Sequence, residues 1–197
     1  MSSLVLVIAV ALVGLAVSAV ETGPNRSREL SLVAALAIAG RIAFAAFPNV
    51  KPTTDIVVFS GYALGPAPGF AVGALAGLVS NFWFGQGPWT PWQMIGWGLV
   101  GASAAPLGRL LRNRYALAAF GIVWGFLFDW LMDVWAWSSL GGGSTSFIAL
   151  VSTGIWFDVA HAAGNVILAL VAGPTLIRML DRYARKLHGT FVPLEQT

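Results

Sequence analysis

Cysteine is absent from the 197 residues, which excludes disulfides, thiolate metal sites and cysteine nucleophiles and leaves the redox compartment undetermined. Histidine occurs twice, so a histidine ligand set has little to draw on. Charge is also scarce: 10% of residues are Asp, Glu, Lys or Arg, against 57% hydrophobic and a mean hydropathy of +0.78. Such a composition belongs to an integral membrane protein. Nothing resembling a soluble linker divides the chain, and its length suits one bundle of six or seven spans. The pI near 9.8 does not point to nucleic acid, because the basic residues sit in short clusters between apolar runs, as topology signals do.

What is present is a series of apolar segments, at about Leu4–Val20, Leu30–Phe47, Ile56–Leu64, Phe70–Phe84, Trp92–Leu111, Leu117–Trp137 and Phe147–Ile177. Seven passes are expected. The third, at about nine residues, reaches roughly 14 Å at helical rise, so it starts nearer Thr53 or spans only in part. The turn Gly65-Pro66-Ala67-Pro68-Gly69 then returns the chain to the side it came from. Arg26 and Arg28, then Arg109, Arg112 and Arg114, then Arg178, Arg182, Arg185 and Lys186 can all face the cytoplasm together. This places the amino terminus outside, the carboxyl terminus inside, and the loops Pro48–Thr54, Gly85–Pro91 and Ser138–Ser146 on the outer face. Val17-Ser18-Ala19 resembles a signal-peptide cleavage site, but no basic region precedes the apolar run, and a retained helix is expected.

Charges within lipid cost roughly 2.5–3.5 kcal/mol each on insertion scales, so they pair inside a bundle or mark a pathway. Arg41, Asp129 and Asp158 fall at similar depth, and Arg41 is expected to neutralise an aspartate and hold three helices together. Asp129 and Asp133 are one turn apart, while Asp158, His161 and Asn165 share one helical face. Some of this face is expected to line a cavity opening outward. His161 is expected to be a hydrogen-bonded structural residue rather than a metal ligand. Gly125, Asp129 and Asp133 also look like half of the metal-binding signature of membrane CDP-alcohol phosphotransferases. The acid-bearing element that signature needs upstream is replaced by Leu110-Leu111-Arg112-Asn113-Arg114, and no such enzyme is expected.

The block Asn81–Trp97, NFWFGQGPWTPWQMIGW, is the most unusual stretch. Its prolines and glycines forbid a continuous helix, and its amides and indoles offer hydrogen bonds and flat surfaces where lipid meets water. Trp83, Trp89, Trp92, Trp135 and Trp137 could build a binding lip for a bulky planar ligand, with amides from Asn49, Asn81 and Gln93. The alternative for each indole is an interfacial anchor. Gly141–Gly143 reads as a flexible turn, since no P-loop lysine follows. In the second segment Ala35, Ala39 and Ala43 recur every four residues, a spacing that lets another helix approach closely, within the chain or from a partner.

The run RIAFAAFPNVKPTTDIVVFSGYALGPAPGFAVGALAGLVSNFWFGQGPWTPWQMIGWGLVG resembles the substrate-binding S components of energy-coupling factor (ECF) vitamin transporters, most of all their cobalamin-type members. The resemblance covers about Leu30–Arg109, with the last helices alike in length and arrangement. It implies an all-α integral membrane protein: a compact bundle of six S-component transmembrane helices over residues 24–190, with an extra N-terminal transmembrane helix at 1–23 and a tail at 191–197. It further implies no catalysis and no covalent cofactor. A vitamin, cobalamin first and riboflavin next, would be captured outside and delivered by toppling, driven by an ECF T component and two ATPase subunits in the plasma membrane. Ala35, Ala39 and Ala43 would face the T component, and the Asn49–Asp55 loop would be a lid. The expected substrate-binding set is Asn49, Lys51, Asp55, Asn81, Trp83, Trp89, Trp92, Gln93, Asp133, Trp137, Asp158, His161 and Asn165, with no metal. The contrasting class is a non-transporting membrane scaffold or lipid- or partner-binding helical protein, in which Arg41 and the aspartates are purely structural.

Overall fold

The computed structural model describes residues 24–141 and 144–179. The expected helix at Leu4–Val20, residues Gly142 and Gly143, the cations Arg182, Arg185 and Lys186, and the tail at 191–197 lie outside the described residues. Among the described residues every regular element is helical: α1 Pro24–Ala43, α2 Thr53–Leu64, α3 Pro66–Phe84, α4 Thr90–Ala104, α5 Gly108–Leu111, α6 Arg114–Ser139 and α7 Ser144–Val171. A final helical stretch covers 173–179. Among the described residues three helices are long and apolar enough to cross a membrane: α3, α6 and the Phe147–Val171 part of α7. α2, at 12 residues, extends only about 18 Å.

Prolines set several boundaries. Pro66 and Pro91 occupy the first positions of α3 and α4, where a missing N–H costs nothing. Two expected continuous segments are interrupted for the same reason. Trp92–Leu111 breaks at residues 105–107 around Pro106, leaving α5 as a separate turn, and Phe147–Ile177 breaks at Ala172, just before Pro174. The start of α6 is fixed by Asn113, whose side-chain oxygen accepts from the backbone N–H groups of Tyr115 and Ala116.

α2, α3 and α4 pack backbone against backbone. A Cβ on Gly61 would lie 1.9 Å from the Gly101 carbonyl oxygen, one on Gly101 would lie 2.2 Å from the Gly69 carbonyl oxygen, and one on Gly73 would lie 2.1 Å from the Trp97 carbonyl oxygen. Small residues at such crossings let helices approach closely enough for van der Waals packing to hold them without a hydrophobic driving force. Around this contact lies a core of Val57, Val58, Val72, Ala76, Trp97 and Val100.

α6 and α7 form a second tight pair, with Gly125 against the Ala162 backbone and Gly121 against Asn165. The ends of the elements alternate. Arg112 Nε donates to the Tyr62 hydroxyl at 3.1 Å, joining the C-terminal turn of α2 to the segment before α6. At the opposite end the α3–α4 connection meets the last turns of α6. α1 turns Ala34, Ala37 and Arg41 inward and leaves Ala35, Ala39 and Ala43 exposed beside Leu32 and Leu36.

Candidate functional site: a polar seam beneath an indole mouth

A continuous chain of side-chain hydrogen bonds crosses the bundle. Trp97 Nε1 in α4 donates to Thr54 Oγ1 at the start of α2, at 3.3 Å. Thr54 Oγ1 is 2.9 Å from His161 Nε2 in α7, and His161 Nδ1 is 3.1 Å from Asp129 Oδ2 in α6. Asn49 closes the chain, its Nδ2 donating to Asp129 Oδ2 at 2.8 Å and to the Phe157 carbonyl at 3.0 Å. One proton arrangement satisfies every member: neutral His161 with its proton on Nδ1, donating to the carboxylate and accepting the Thr54 hydroxyl proton at Nε2. Asn49 holds a left-handed backbone at φ 51°, a conformation asparagine tolerates better than most residues. His161 has a partner at each ring nitrogen, and Asn49 ties the α1–α2 loop onto the α6–α7 pair.

Arg41 departs from expectation. Its Nη1 donates to Asn81 Oδ1 at 2.7 Å and to Ser80 Oγ, and its guanidinium lies over the Phe84 and Trp97 rings at 4.7 and 4.6 Å. Two neutral acceptors and two aromatic faces take the place of the predicted aspartate. The expected network of Arg41 with Asp129 and Asp158 is thus two clusters joined through Trp97. Its other face stacks on Phe128 with ring centroids 4.5 Å apart. Asn81 is spent here as well, since its Nδ2 donates to Thr90 Oγ1 and Gln93 Oε1 at 2.9 and 2.8 Å. Thr90 in turn donates to Gln86. Asn81 and Gln93, predicted as ligand amides, instead clamp the α3–α4 connection.

Two walls near the α3–α4 connection and the adjoining α6–α7 pair carry buried polar atoms with no hydrogen-bond partner among the described residues. On the α4 side of α6, Trp89 and Trp135 meet edge to face at 5.7 Å, and the indole N–H groups of Trp92 and Trp135 are unpaired. Trp92 stands one turn before Gly96, which abuts Phe128 and Leu131 of α6. On the α7 side, Asp133 and Asp158 each leave Oδ2 unpaired. Asp158 is only 2% exposed, receives a hydrogen bond from Trp130, and lies within electrostatic range of Asp129 and Asp133. Unpaired buried donors and acceptors carry a desolvation penalty of about 1–3 kcal/mol each, so they mark places where a ligand would be accepted.

The remaining predicted residues lie elsewhere. Lys51 caps the end of α1, its Nζ donating to the carbonyls of Phe44 and Phe47 at 2.7 Å. Burial and the nearby Arg41 hold its ammonium below the usual lysine range. Asp55 is buried in the first turn of α2 with Oδ2 unpaired. Trp83 is 69% exposed and faces away from the seam. Trp137 packs against Phe147 at 5.9 Å, on the side of α6 away from Trp135. Asn165 joins α7 to α6 through a 2.9 Å bond from Nδ2 to the Gly121 carbonyl.

Thr54 and Thr90, at helix starts, and Ser80, in the last turns of α3, are the residues the sequence did not single out, because an isolated hydroxyl gives no periodic or charge signal. An apolar groove of about 490 Å³ on α6 and α7 is lined by residues such as Leu127, Trp130 and Phe147, and Trp130 joins it to the site through its hydrogen bond to Asp158. Among the described residues no group of His, Asp or Glu is arranged to hold a metal ion.

The fold and seam define an all-helical protein with helices of membrane-crossing length and a polar interior. The chain is similar to a UPF0397 protein of Aliivibrio salmonicida, 26% identical over 140 residues, and to a UPF0397 protein of Vibrio atlanticus, 27% identical over 140 residues. Each match covers 68% of this chain and 75% of the relative. No protein-family model and no solved structure matches the chain.

Proposed function

We propose that this protein is the membrane-embedded, vitamin-binding S component of an ATP-driven ECF importer, capturing its ligand outside and passing it inward with a T component and two ATPase subunits. The observation that carries the reading is the division of the surface. The indole and carboxylate walls with unpaired buried atoms lie at one end, under a loop pinned by Asn49, while the alanine face of α1 stays exposed along its length. A ligand end and a docking face on separate elements suit a subunit that binds one molecule and delivers it to another.

In this reading the bundle has six spans plus the N-terminal helix, with the amino terminus outside. Arg109, Arg112, Arg114 and Arg178 face the cytoplasm. The resemblance puts cobalamin first and riboflavin next among ligands, and the site residues would be Asn49, Trp89, Trp92, Asp133 and Asp158. The test is uptake. Vesicles holding this chain with its T component and ATPases should accumulate a vitamin on ATP hydrolysis, and the detergent-purified chain should retain it. Protein without micromolar affinity for any member of a vitamin panel, in vesicles without ATP-dependent accumulation, would leave the scaffold class in its place.

A further inference from the structure

Asp129 and Asp133 stand one turn apart on α6, and Asp158 enters from α7 within electrostatic range of both. Asp158 is 98% buried by its 2% exposure, and its Oδ2 has no partner, as is also true of Asp133 Oδ2. Among the described residues no arginine or lysine pairs with them, and His161, in contact with Asp129, is the one basic group within electrostatic range of Asp158. Arg41 is committed to Ser80 and Asn81, Lys51 to the Phe44 and Phe47 carbonyls, and among the described residues the ion-pair contact of the trio is that of Asp129 with His161, whose other ring nitrogen meets Thr54. Like charges brought together out of water are unfavourable unless a proton or a counter-ion joins them. The carboxylates are not converged as a metal ion would require. Asp133 is half-buried and gives the group its opening, and Asn49 caps the neighbouring Asp129.

We propose that the trio is the seat of an organic cation: the ligand carries a positively charged nitrogen that is neutralised by Asp133 and Asp158, with Asp129 held in place by Asn49 and His161. This rests on the reading of the protein as a ligand-capturing membrane subunit, and it changes the expected ligand class. Neither cobalamin nor riboflavin offers a peripheral organic cation, whereas a vitamin with a quaternary or protonated nitrogen does. The unpaired indole N–H groups of Trp92 and Trp135 would meet acceptors elsewhere on such a ligand. Neutral amides would leave the carboxylates uncompensated.

The experiment measures binding of thiamine, as the cationic probe, beside riboflavin and cobalamin, by calorimetry on the full-length detergent-purified protein, with ATP-driven uptake of all three in vesicles. The expected result is thiamine binding at least tenfold tighter than either neutral vitamin, lost at least tenfold in Asp158→Asn and in Asp133→Asn. The comparison of ligands on the wild-type chain stands even if the buried Asp158→Asn variant folds poorly, and Asp133→Asn alters a half-buried site. Riboflavin or cobalamin binding as tightly as thiamine would overturn the charge inference while leaving the importer reading intact. So would equal thiamine affinity in wild type and Asp133→Asn. No binding and no uptake of any of the three probes would overturn the charge inference, and the same result across the whole vitamin panel would overturn the importer reading as well.

Discussion

Arg41 and Asn49 show how much single side chains decide here. Arg41→Ala removes a charged donor from Ser80 and Asn81 and strips Trp97 of its cation. With about 1.5–3 kcal/mol for hydrogen bonds to a charged group, a clear fall in thermal midpoint is expected. Arg41→Lys should not restore it, because a lysine head lacks the planar fork that meets two acceptors and two rings at once. A wild-type midpoint in either variant would show that the guanidinium bears little of the structure. For Asn49, glycine and alanine separate two roles. Asn49→Gly keeps the left-handed backbone but loses the bonds to Asp129 and Phe157. If the side chain is a latch, both variants should release ligand about tenfold faster, equivalent to about 1.4 kcal/mol. If backbone shape matters more, only alanine should.

These residues also mark the limit of legibility. The cost of charge in lipid correctly placed Arg41, Asp129 and His161 in the interior, but that principle cannot distinguish an acid from a pair of neutral acceptors as partner. Asn81 and Gln93 have the chemistry of ligand amides, and only the geometry shows that Thr90 and Arg41 already occupy them.

Among the elements, the proline and glycine pattern was the most readable feature. The end of α3 at Phe84 and the break before α4 follow from it, whereas α3 already begins at Pro66, so the expected Gly65–Gly69 turn shrinks to Gly65, and the interruptions at Pro106 and before Pro174 were overrun by continuous hydropathy. The backbone contact among α2, α3 and α4 was not legible, since glycines scattered through three segments reveal no crossing until the helices are placed. It yields a sharp expectation. Gly101→Ala would set a Cβ 2.2 Å from the Gly69 carbonyl oxygen, and overpacking of this kind costs about 1–3 kcal/mol or more. Expression of folded protein, read by size-exclusion chromatography, should drop. The alanine face behaves oppositely. Ala39 is exposed, so Ala39→Leu should alter stability by less than about 0.5 kcal/mol, while reducing co-purification with the T component if that face docks it. Unchanged co-purification would remove α1 from the docking surface.

For the molecule as a whole, the cysteine-free sequence offers a clean test of orientation. Ser139→Cys, at the exposed end of α6, should react with a membrane-impermeant maleimide in intact cells, and Arg109→Cys, exposed in α5, should react only after permeabilisation. The reverse pattern would invert the topology and put the indole mouth in the cytoplasm. Among the described residues three helices are long and apolar enough to cross a membrane, but α2 and α4 are too short for hydropathy to count as spans. Their place in the bundle comes instead from the packing around Gly61 and Gly101.

That packing has a mechanical corollary. Where main chains touch, no side-chain cushion remains to be rearranged, so α2, α3 and α4 can shift only as one slab. If the protein is the ligand-capturing subunit proposed above, any breathing that admits a guest must then be carried by the α6–α7 pair and the Asn49 strap, and a chemical staple across those two should abolish uptake without deforming the frame.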